Sequence, residues 1–267
     1  MRETAYAKLN LALHVRRRRE DGYHEIETLF AFVDAGDELA VQVAPRDELR
    51  VTGEFASALD PFGNLVAKAL GKLPRPEGWR ITLDKRLPVA AGLGGGSADA
   101  GAVFRLMRER FGLPDDWRER AAKLGADVPA CVESRACIGR ATGAELEPGP
   151  DDLAGTPVLL VNPRVPLVTG AVFARWDRGD RGPLPTGSAH EIALAGRNDL
   201  EAPALELCPV IGDVLDALRA TGAWLVRMSG SGATCFGLYE TPAERDEAAR
   251  KLRGLHPAWW QMSGALR

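Results

Sequence analysis

Apolar and polar residues alternate along residues 5–15, with Leu9, Leu11 and Leu13 on one side and Lys8, Asn10 and Ala12 on the other. This is the period of two of a half-buried strand, and it predicts that Lys8 and Asn10 share a face. Alternating segments at 38–43 and 79–83, with a shorter one at 49–51, predict further strands, and 64–70 predicts a short helix. Val103, Leu106 and Met107 recur at helical spacing within residues 98–111, and Gly112 and Pro114 supply the stop. Ser97 is placed to cap this helix. A second helix is predicted over 116–124, ended by Gly125. Beyond it come a strand at 157–161, helices at 169–176 and 210–221, and a strand-turn-strand region around Gly230 and Gly232 that includes 234–239. A helix at 242–253 and a tail follow. The Gly-, Pro- and Asp-rich stretch 149–155 divides the chain into halves, 1–150 and 151–267, and 178–188 has the composition of a flexible loop.

Before the helix at 98–111 stands Gly92-Leu93-Gly94-Gly95-Gly96-Ser97-Ala98, preceded by Pro88. Glycines let backbone N–H groups approach an anion closely, and the unpaired N–H groups of a following helix face the same point. The arrangement suits a polyphosphate, although a tight packing turn is an even alternative on this stretch alone. No Lys-Ser or Lys-Thr follows a glycine at P-loop spacing. A dinucleotide fingerprint fits poorly, because Ser97 stands where its third glycine belongs and Asp115 and Asp116 fall in a loop. His-Arg-Asp and Asp-Phe-Gly, the marks of protein kinases, are absent. A second glycine cluster, Ser229-Gly230-Ser231-Gly232, reads as a hairpin turn or as a second cradle closing on the first.

Composition narrows the function classes. The 267 residues are 45% hydrophobic and 27% charged with a formal charge of −3, values of an ordinary globular protein that lacks the basic excess of a nucleic-acid binder. No apolar run reaches the length of a membrane span and residues 1–4 lack the character of a signal peptide, so neither a membrane nor a nucleic-acid partner is expected. Cys131, Cys137, Cys208 and Cys235 form no C-x-x-C pair, which points away from zinc or a disulfide framework and toward the cytoplasm.

The stretch Pro88 to Ala102 resembles the phosphate loop of the GHMP kinase superfamily, P-x-x-x-G-L-G followed by small residues and serine. Ala7-Lys8-Leu9-Asn10-Leu11, Asp21-Gly22-Tyr23-His24, the triple glycine 94–96 and Leu124-Gly125-Ala126-Asp127-Val128-Pro129 resemble, in order and spacing, the branch of that family that acts on diphosphocytidyl-methylerythritol. The resemblance runs from about residue 4 to 237. It implies a two-domain α+β fold, with an N-terminal ribosomal-protein-S5-like domain, a C-terminal ferredoxin-like domain and the active site in the cleft between them. It also implies transfer of the γ-phosphoryl of ATP to the C2 hydroxyl of that small-molecule substrate, in the non-mevalonate route to isoprenoids.

Laid on this sequence, the resemblance implies Lys8 and Asp127 as the catalytic pair. Asp127 would accept or orient the hydroxyl proton, and Lys8 would offset charge on the moving phosphoryl. Pro88, Gly92, Leu93, Gly94, Gly95, Gly96, Ser97 and Ala98 would hold the nucleotide phosphates, with Asn64, Leu65 and Lys85 near the base. Asn10, Tyr23, His24, Phe173, Gly230 and Gly232 would meet the other substrate, Tyr23, His24 and Phe173 at the cytidine. Taken without the family, Asp127 is a helix cap ahead of Pro129, Lys8 is a solvent-facing lysine or part of a polar pocket, and His24, Tyr23 and Phe173 are packing residues. The Asn198-Asp199 pair fits a structural or a ligand role equally.

The resemblance has departures. Where the family carries G-x-G-E, this chain reads Ala141-Thr142-Gly143-Ala144, one glycine and one acid short. Magnesium is expected with ATP, yet no carboxylate pair cages it and Ser97 is the one protein ligand in view, so no dedicated metal residues are assigned. Arg16-Arg17-Arg18-Arg19 reads as a solvated hairpin or as a source of positive potential at a polyanion's entrance. Competing readings are a phosphate-binding module without turnover, a dinucleotide oxidoreductase, and a relative acting on homoserine or mevalonate, which has no need of the Asp21–His24 turn.

Overall fold

The computed structural model describes residues 1–59 and 63–267. Two long strands, β1 (Arg2–Arg18) and β2 (His24–Ala44), form an antiparallel hairpin that opens the chain. They are followed by β3 (Glu48–Thr52), α1 (Leu65–Lys72), β4 (Gly78–Asp84), α2 (Gly95–Phe111), α3 (Trp117–Ala122), α4 (Val128–Glu133), β5 (Cys137–Arg140) and β6 (Glu145–Pro148). The first sheet runs β3-β4-β2-β5-β6 with β1 on β2, and β3 pairs parallel with β4. The rest of the chain supplies β7 (Pro157–Asn162), α5 (Thr169–Ala174), α6 (Ala189–Ala195), α7 (Glu201–Leu207), α8 (Val210–Arg219), β8 (Leu225–Met228), β9 (Cys235–Leu238), α9 (Pro242–Leu255) and β10 (Trp260–Ala265). These strands make an antiparallel sheet in the order β10-β7-β9-β8. The fold class is mixed α+β with two sheets.

Each sheet buries one face under helices, the arrangement by which a sheet and amphipathic helices hide apolar surface together. Phe30, Trp79 and Ile81 pack with Val103 and Phe104 of α2 in the first half, and Val161 packs with Ile211, Leu215 and Leu252 in the second. A third cluster, with Leu9, Leu11 and Leu29 of the hairpin against Leu160 and Phe236, joins the two. No described helix is long and apolar enough to cross a membrane.

The structure departs from the sequence pattern at several places. The second strand begins at His24, fourteen residues ahead of Glu38, because Leu29–Val33 is buried on both faces and shows no alternation. Residues 260–265 form an edge strand where a tail was expected, and β5, β6, α6 and α7 were not foreseen. Ser97 does not cap α2. The helix begins at Gly95 with Gly94 at the cap position in the left-handed region, φ +62°, which puts Ser97 inside the first turn. The stretch 178–188 has no regular structure but is pinned to the hairpin. His14 Nδ1 meets the Gly182 and Pro183 carbonyls, Arg16 pairs with Asp180, and the Leu184 amide donates to Glu27. The arginine run is similarly paired, Arg16 also with Glu27, Arg17 with Glu25 and Arg19 with Asp21.

Candidate active site

The glycine-rich loop is held from behind by three successive carbonyls. Ala91 O accepts from the Thr234 amide at 3.2 Å, Gly92 O from Ser229 Oγ at 2.8 Å and Leu93 O from the Lys8 amide at 2.9 Å. With its carbonyls committed to the protein, the loop keeps its amides for a ligand. Among the described residues, the N–H groups of Gly94, Gly95, Gly96 and Ser97 meet no acceptor. They lie where α2 begins, so four free donors and the positive end of the helix dipole coincide. All four residues line a cleft of about 460 Å³, together with Lys8 and Asp127.

Gly92 allows a contact that a side chain forbids, and Gly94 one that a side chain would crowd. At Gly92, φ is +77° and a Cβ would lie 2.2 Å from the Ser229 carbonyl oxygen; at Gly94 it would lie 3.1 Å from Lys8 Cε. The first contact brings the two glycine turns together. Ser229 donates its hydroxyl to the Gly92 carbonyl and accepts the Asn10 amide at 3.3 Å. Asn198 shapes the second turn from below, giving its Nδ2 to the carbonyls of Met228 and Gly230 at 2.8 Å each. Asp199 takes the Val15 amide at 2.8 Å. Both side chains of this pair therefore serve the backbone.

Opposite the loop, Lys8 Nζ stands 3.0 Å from Asp127 Oδ2 and 3.2 Å from Asn10 Oδ1, over the face of the Phe30 ring at 4.3 Å. Lys8 is 4% exposed and Asn10 2%, which settles the lysine as part of a polar pocket. Register shifts in β1 at Tyr6/Lys8 and Asn10/Ala12 flank these two residues. Bulges of this kind re-aim side chains beside functional sites. Asp127 occupies the cap position of α4 with Pro129 behind it, but its side chain makes no capping bond. Its carboxylate goes to Lys8 instead, against the cap reading.

A second cavity of about 570 Å³ adjoins the first, sharing Ile26, Ala126, Thr142, Thr169 and Phe173 with it. Tyr23, His24 and Phe173 all line it. The His24 ring stacks directly on Phe173 at 4.7 Å between centroids, with Trp176 edge-on at 5.6 Å, so no base fits between His24 and Phe173 in this arrangement. Tyr23 lines the same cavity and is exposed. Burial, then the nearby charge of Arg18, hold His24 below the ordinary histidine value. Its neutral ring can donate from one nitrogen and accept at the other.

Two residues expected near the nucleotide base stand differently. Asn64 Oδ1 caps α1 by accepting the Val66 amide at 2.8 Å, and Asn64 is not part of the cleft wall, whereas Leu65, Leu59, Pro88 and Val89 are. Lys85 does line the cleft, but its ammonium is taken by two buried carboxylates, Asp37 Oδ2 at 2.5 Å and Asp99 Oδ2 at 2.8 Å. Gly230 lines the same cleft, while Gly232 packs behind it, where a Cβ would lie 2.7 Å from Met228 Sδ. Thr142 and Thr169 line the cleft and Thr28 bonds to Asn10, and these three threonines were missed, whereas Ser229 and Ser231 fall in the second glycine cluster, read as a turn or a cradle. Isolated hydroxyls on strands and turns carry no pattern in the sequence. Thr169 Oγ1 meets Ser231 Oγ at 2.9 Å, tying the helix that carries Phe173 to the second glycine turn.

Free backbone donors, an acid and an ammonium in one cleft, with an adjoining aromatic cavity, are what a small-molecule phosphotransferase needs. Comparison with known proteins gives the class and then the family. Residues 63–135 match the GHMP kinases N terminal domain and residues 187–257 the GHMP kinases C terminal domain, so the chain is a GHMP kinase. It is 71% identical over 268 residues to the 4-diphosphocytidyl-2-C-methyl-D-erythritol kinase of Novosphingobium aromaticivorans, covering 100% of this chain and 93% of that one. It is 52% identical to the protein of the same name from Sphingopyxis alaskensis, covering 100% and 99%. A crystal structure of a 4-(cytidine 5'-diphospho)-2C-methyl-D-erythritol kinase superposes with a TM-score of 0.83 at 36% identity, over 100% of this chain and 99% of the other. Within the GHMP kinases the chain belongs to the 4-diphosphocytidyl-2-C-methyl-D-erythritol kinase family. A homoserine kinase from Cytophaga hutchinsonii, with a TM-score of 0.67 at 15% identity, shares the fold alone.

Proposed function

We propose that this protein transfers the γ-phosphoryl of ATP to the C2 hydroxyl of 4-diphosphocytidyl-2-C-methyl-D-erythritol, in the cytoplasm, as a step of non-mevalonate isoprenoid synthesis. The observation that carries the residue roles is the Lys8–Asp127 pair, 3.0 Å apart and in one cleft with the free amides of residues 94–97. In this reading the triphosphate lies along those amides and its base reaches toward Leu59, Leu65, Pro88 and Val89. The cytidine enters the second cavity beside Tyr23, His24 and Phe173, and its diphosphate crosses the shared wall at Thr142 and Thr169. The two halves, 1–150 and 151–267, act as domains on either side of the cleft.

Phosphoryl transfer asks a protein for alignment and charge compensation more than for covalent work. Asp127 accepts or aligns the proton of the acceptor hydroxyl. Lys8 lies beside it and offsets negative charge on the group in flight, and Asn10 holds Lys8 by its amide oxygen. Among the described residues, no group of three or more His, Cys, Asp or Glu side chains gathers to hold a metal. A magnesium ion brought in with ATP would have the Ser97 hydroxyl to hold it on the protein side, and would spread the phosphate charge.

The test is phosphoryl transfer to the diphosphocytidyl substrate by wild type, Lys8→Ala and Asp127→Ala. Each variant is expected to lose about 10²–10⁴-fold in kcat, the range for a general acid–base group or its electrostatic partner. Undiminished turnover in both would remove the assigned roles.

A further inference from the structure

The chemistry above gives Thr28 no task, although this β2 side chain is fully buried and hydrogen-bonded to Asn10. The bulge in β1 between Asn10 and Ala12 brings the Ala12 carbonyl to Thr28, and Thr28 Oγ1 donates to it at 2.7 Å. A carbonyl can only accept, so the single hydroxyl proton of Thr28 is committed there. The hydroxyl oxygen is left as an acceptor, and the group it faces at 2.8 Å is the Asn10 amide. Only the NH₂ side of that amide can donate to it. The amide oxygen is thereby set on the other side, 3.2 Å from Lys8 Nζ, which can only donate. Two groups with fixed polarity, a carbonyl and an ammonium, thus stand at the ends of a chain whose middle members could otherwise turn.

We propose that Thr28 is a positioning residue for phosphoryl transfer: its hydroxyl fixes the Asn10 amide with oxygen toward Lys8 and so holds the ammonium beside Asp127. This rests on the reading of Lys8 and Asp127 as the transfer pair. Without the hydroxyl, Asn10 Nδ2 is a buried donor with no acceptor. Turning end for end gains the amide nothing, since NH₂ would then face the Lys8 ammonium, so the side chain satisfies its donor only by swinging away, which takes its oxygen off Lys8. Nucleotide binding by the loop amides is separate from this chain of bonds and stays intact.

The experiment compares Thr28→Val, which keeps shape and removes the hydroxyl, with Thr28→Ser, which keeps the hydroxyl, and with Thr28→Ala. Steady-state kinetics on ATP and the diphosphocytidyl substrate are measured beside thermal unfolding midpoints. Thr28→Val is expected to lose about tenfold or more in kcat, the size of a misplaced charge-assisted hydrogen bond, with KM for ATP within about twofold. Thr28→Ser is expected to restore kcat to within about twofold of wild type. A merely structural role would instead lower the midpoint while the folded fraction kept its kcat and both KM values. The proposal is overturned if a folded hydroxyl-free variant keeps wild-type kcat, or if Thr28→Ser falls as far as Thr28→Val. It is also overturned if neither Thr28→Val nor Thr28→Ala folds, since the hydroxyl then serves the fold and not Lys8. Lys8→Ala separates the two layers of inference. Wild-type kcat in that variant sinks the reading of the site, whereas a loss there beside an unaffected Thr28→Val sinks the role of Thr28 alone.

Discussion

Lys85 shows how much a single charge can be asked to do. It is 1% exposed and sits between Asp37 and Asp99, both buried, beside the start of α2. One positive charge thus faces two negative ones in a medium that solvates neither well. Asp37 has further support, since its Oδ1 accepts the amides of Arg86 and Leu87 at 2.6 and 2.8 Å. Asp99 has less, for its Oδ1 is buried without a partner. Burial pushes the Asp99 carboxyl up to about 7 against the pull of Lys85, and burial opposes but does not overcome the two carboxylates that raise Lys85. Removing the ammonium leaves two buried carboxylates uncompensated, so Lys85→Met is expected to cost about 3–5 kcal/mol of stability in urea unfolding. Asp99→Asn, which replaces an acid already biased toward its neutral form, is expected to cost less. Equal midpoints for wild type and Lys85→Met would show the cluster to be solvated. The family resemblance suggested a lysine near the nucleotide at this position. Its partners at 37 and 99 lie far apart in the chain, and no local pattern joins them.

At the scale of elements, the site is two glycine turns meeting across a strand that carries Lys8 and Asn10. The carbonyl of Ser229 occupies the space a Cβ on Gly92 would need, and Gly92 itself lies in the left-handed region. Gly92→Ala is expected to cost about 1–3 kcal/mol in strain and to raise KM for ATP, because backbone must shift in one turn or the other. Gly71→Ala is the control. Gly71 lies in α1 with open space around it, and the same substitution there is expected to gain up to about 1 kcal/mol. Opposite signs in urea unfolding, with KM for ATP raised in the first variant alone, are the result that supports the two-turn geometry. The glycine loop was legible because its composition is itself the physics: free amides need residues without Cβ. The shared side of Lys8 and Asn10 was also legible, from alternation. What the alternation did not carry is the bulge between Asn10 and Ala12 and the partners it creates on β2. Asp127 by residue type alone reads as a cap, and its use by Lys8 across more than a hundred residues is a tertiary fact. The edge strand at 260–265 and the doubly buried start of β2 were illegible for the same reason, since pairing partners and not local periodicity make them strands.

At the scale of the whole molecule, the β1–β2 hairpin belongs to both halves. Its first residues pair within the first sheet, and its far end is gripped by the second half of the chain. The Leu13 amide donates to the Arg197 carbonyl at 2.7 Å, the Asp199 amide donates to the Leu13 carbonyl at 2.9 Å, and the Asp199 carboxylate takes the Val15 amide. His14 lies in the middle of this joint and is fully buried. Its Nδ1 faces the carbonyls of Gly182 and Pro183, so it carries the proton, and its Nε2 accepts the Arg197 amide at 3.3 Å. The neutral ring satisfies all of these at once. A charged ring would turn Nε2 into a donor against another donor. Burial, and after it the charge of Arg197, hold His14 below its ordinary value of 6.5, outweighing the carbonyls and Asp199 that pull it up. The unfolded chain therefore binds more protons than the folded one as pH falls through and below 6.5, and stability contributed by the neutral ring is present above that value and lost beneath it. His24 is shifted the same way and adds to the slope. Asp99 works against them over the same interval, because a carboxyl pushed up to about 7 takes up its proton more readily folded than unfolded. The part played by His14 is therefore read as a difference: from pH 7.5 to pH 5.5 the urea midpoint of the wild type is expected to lose ground to that of His14→Gln, which keeps a donor and an acceptor but cannot titrate. If the two midpoints keep a constant separation, this joint is not what weakens in acid. If the wild type loses ground, proton uptake at one buried ring loosens the contact by which the second half holds the strand that presents Lys8.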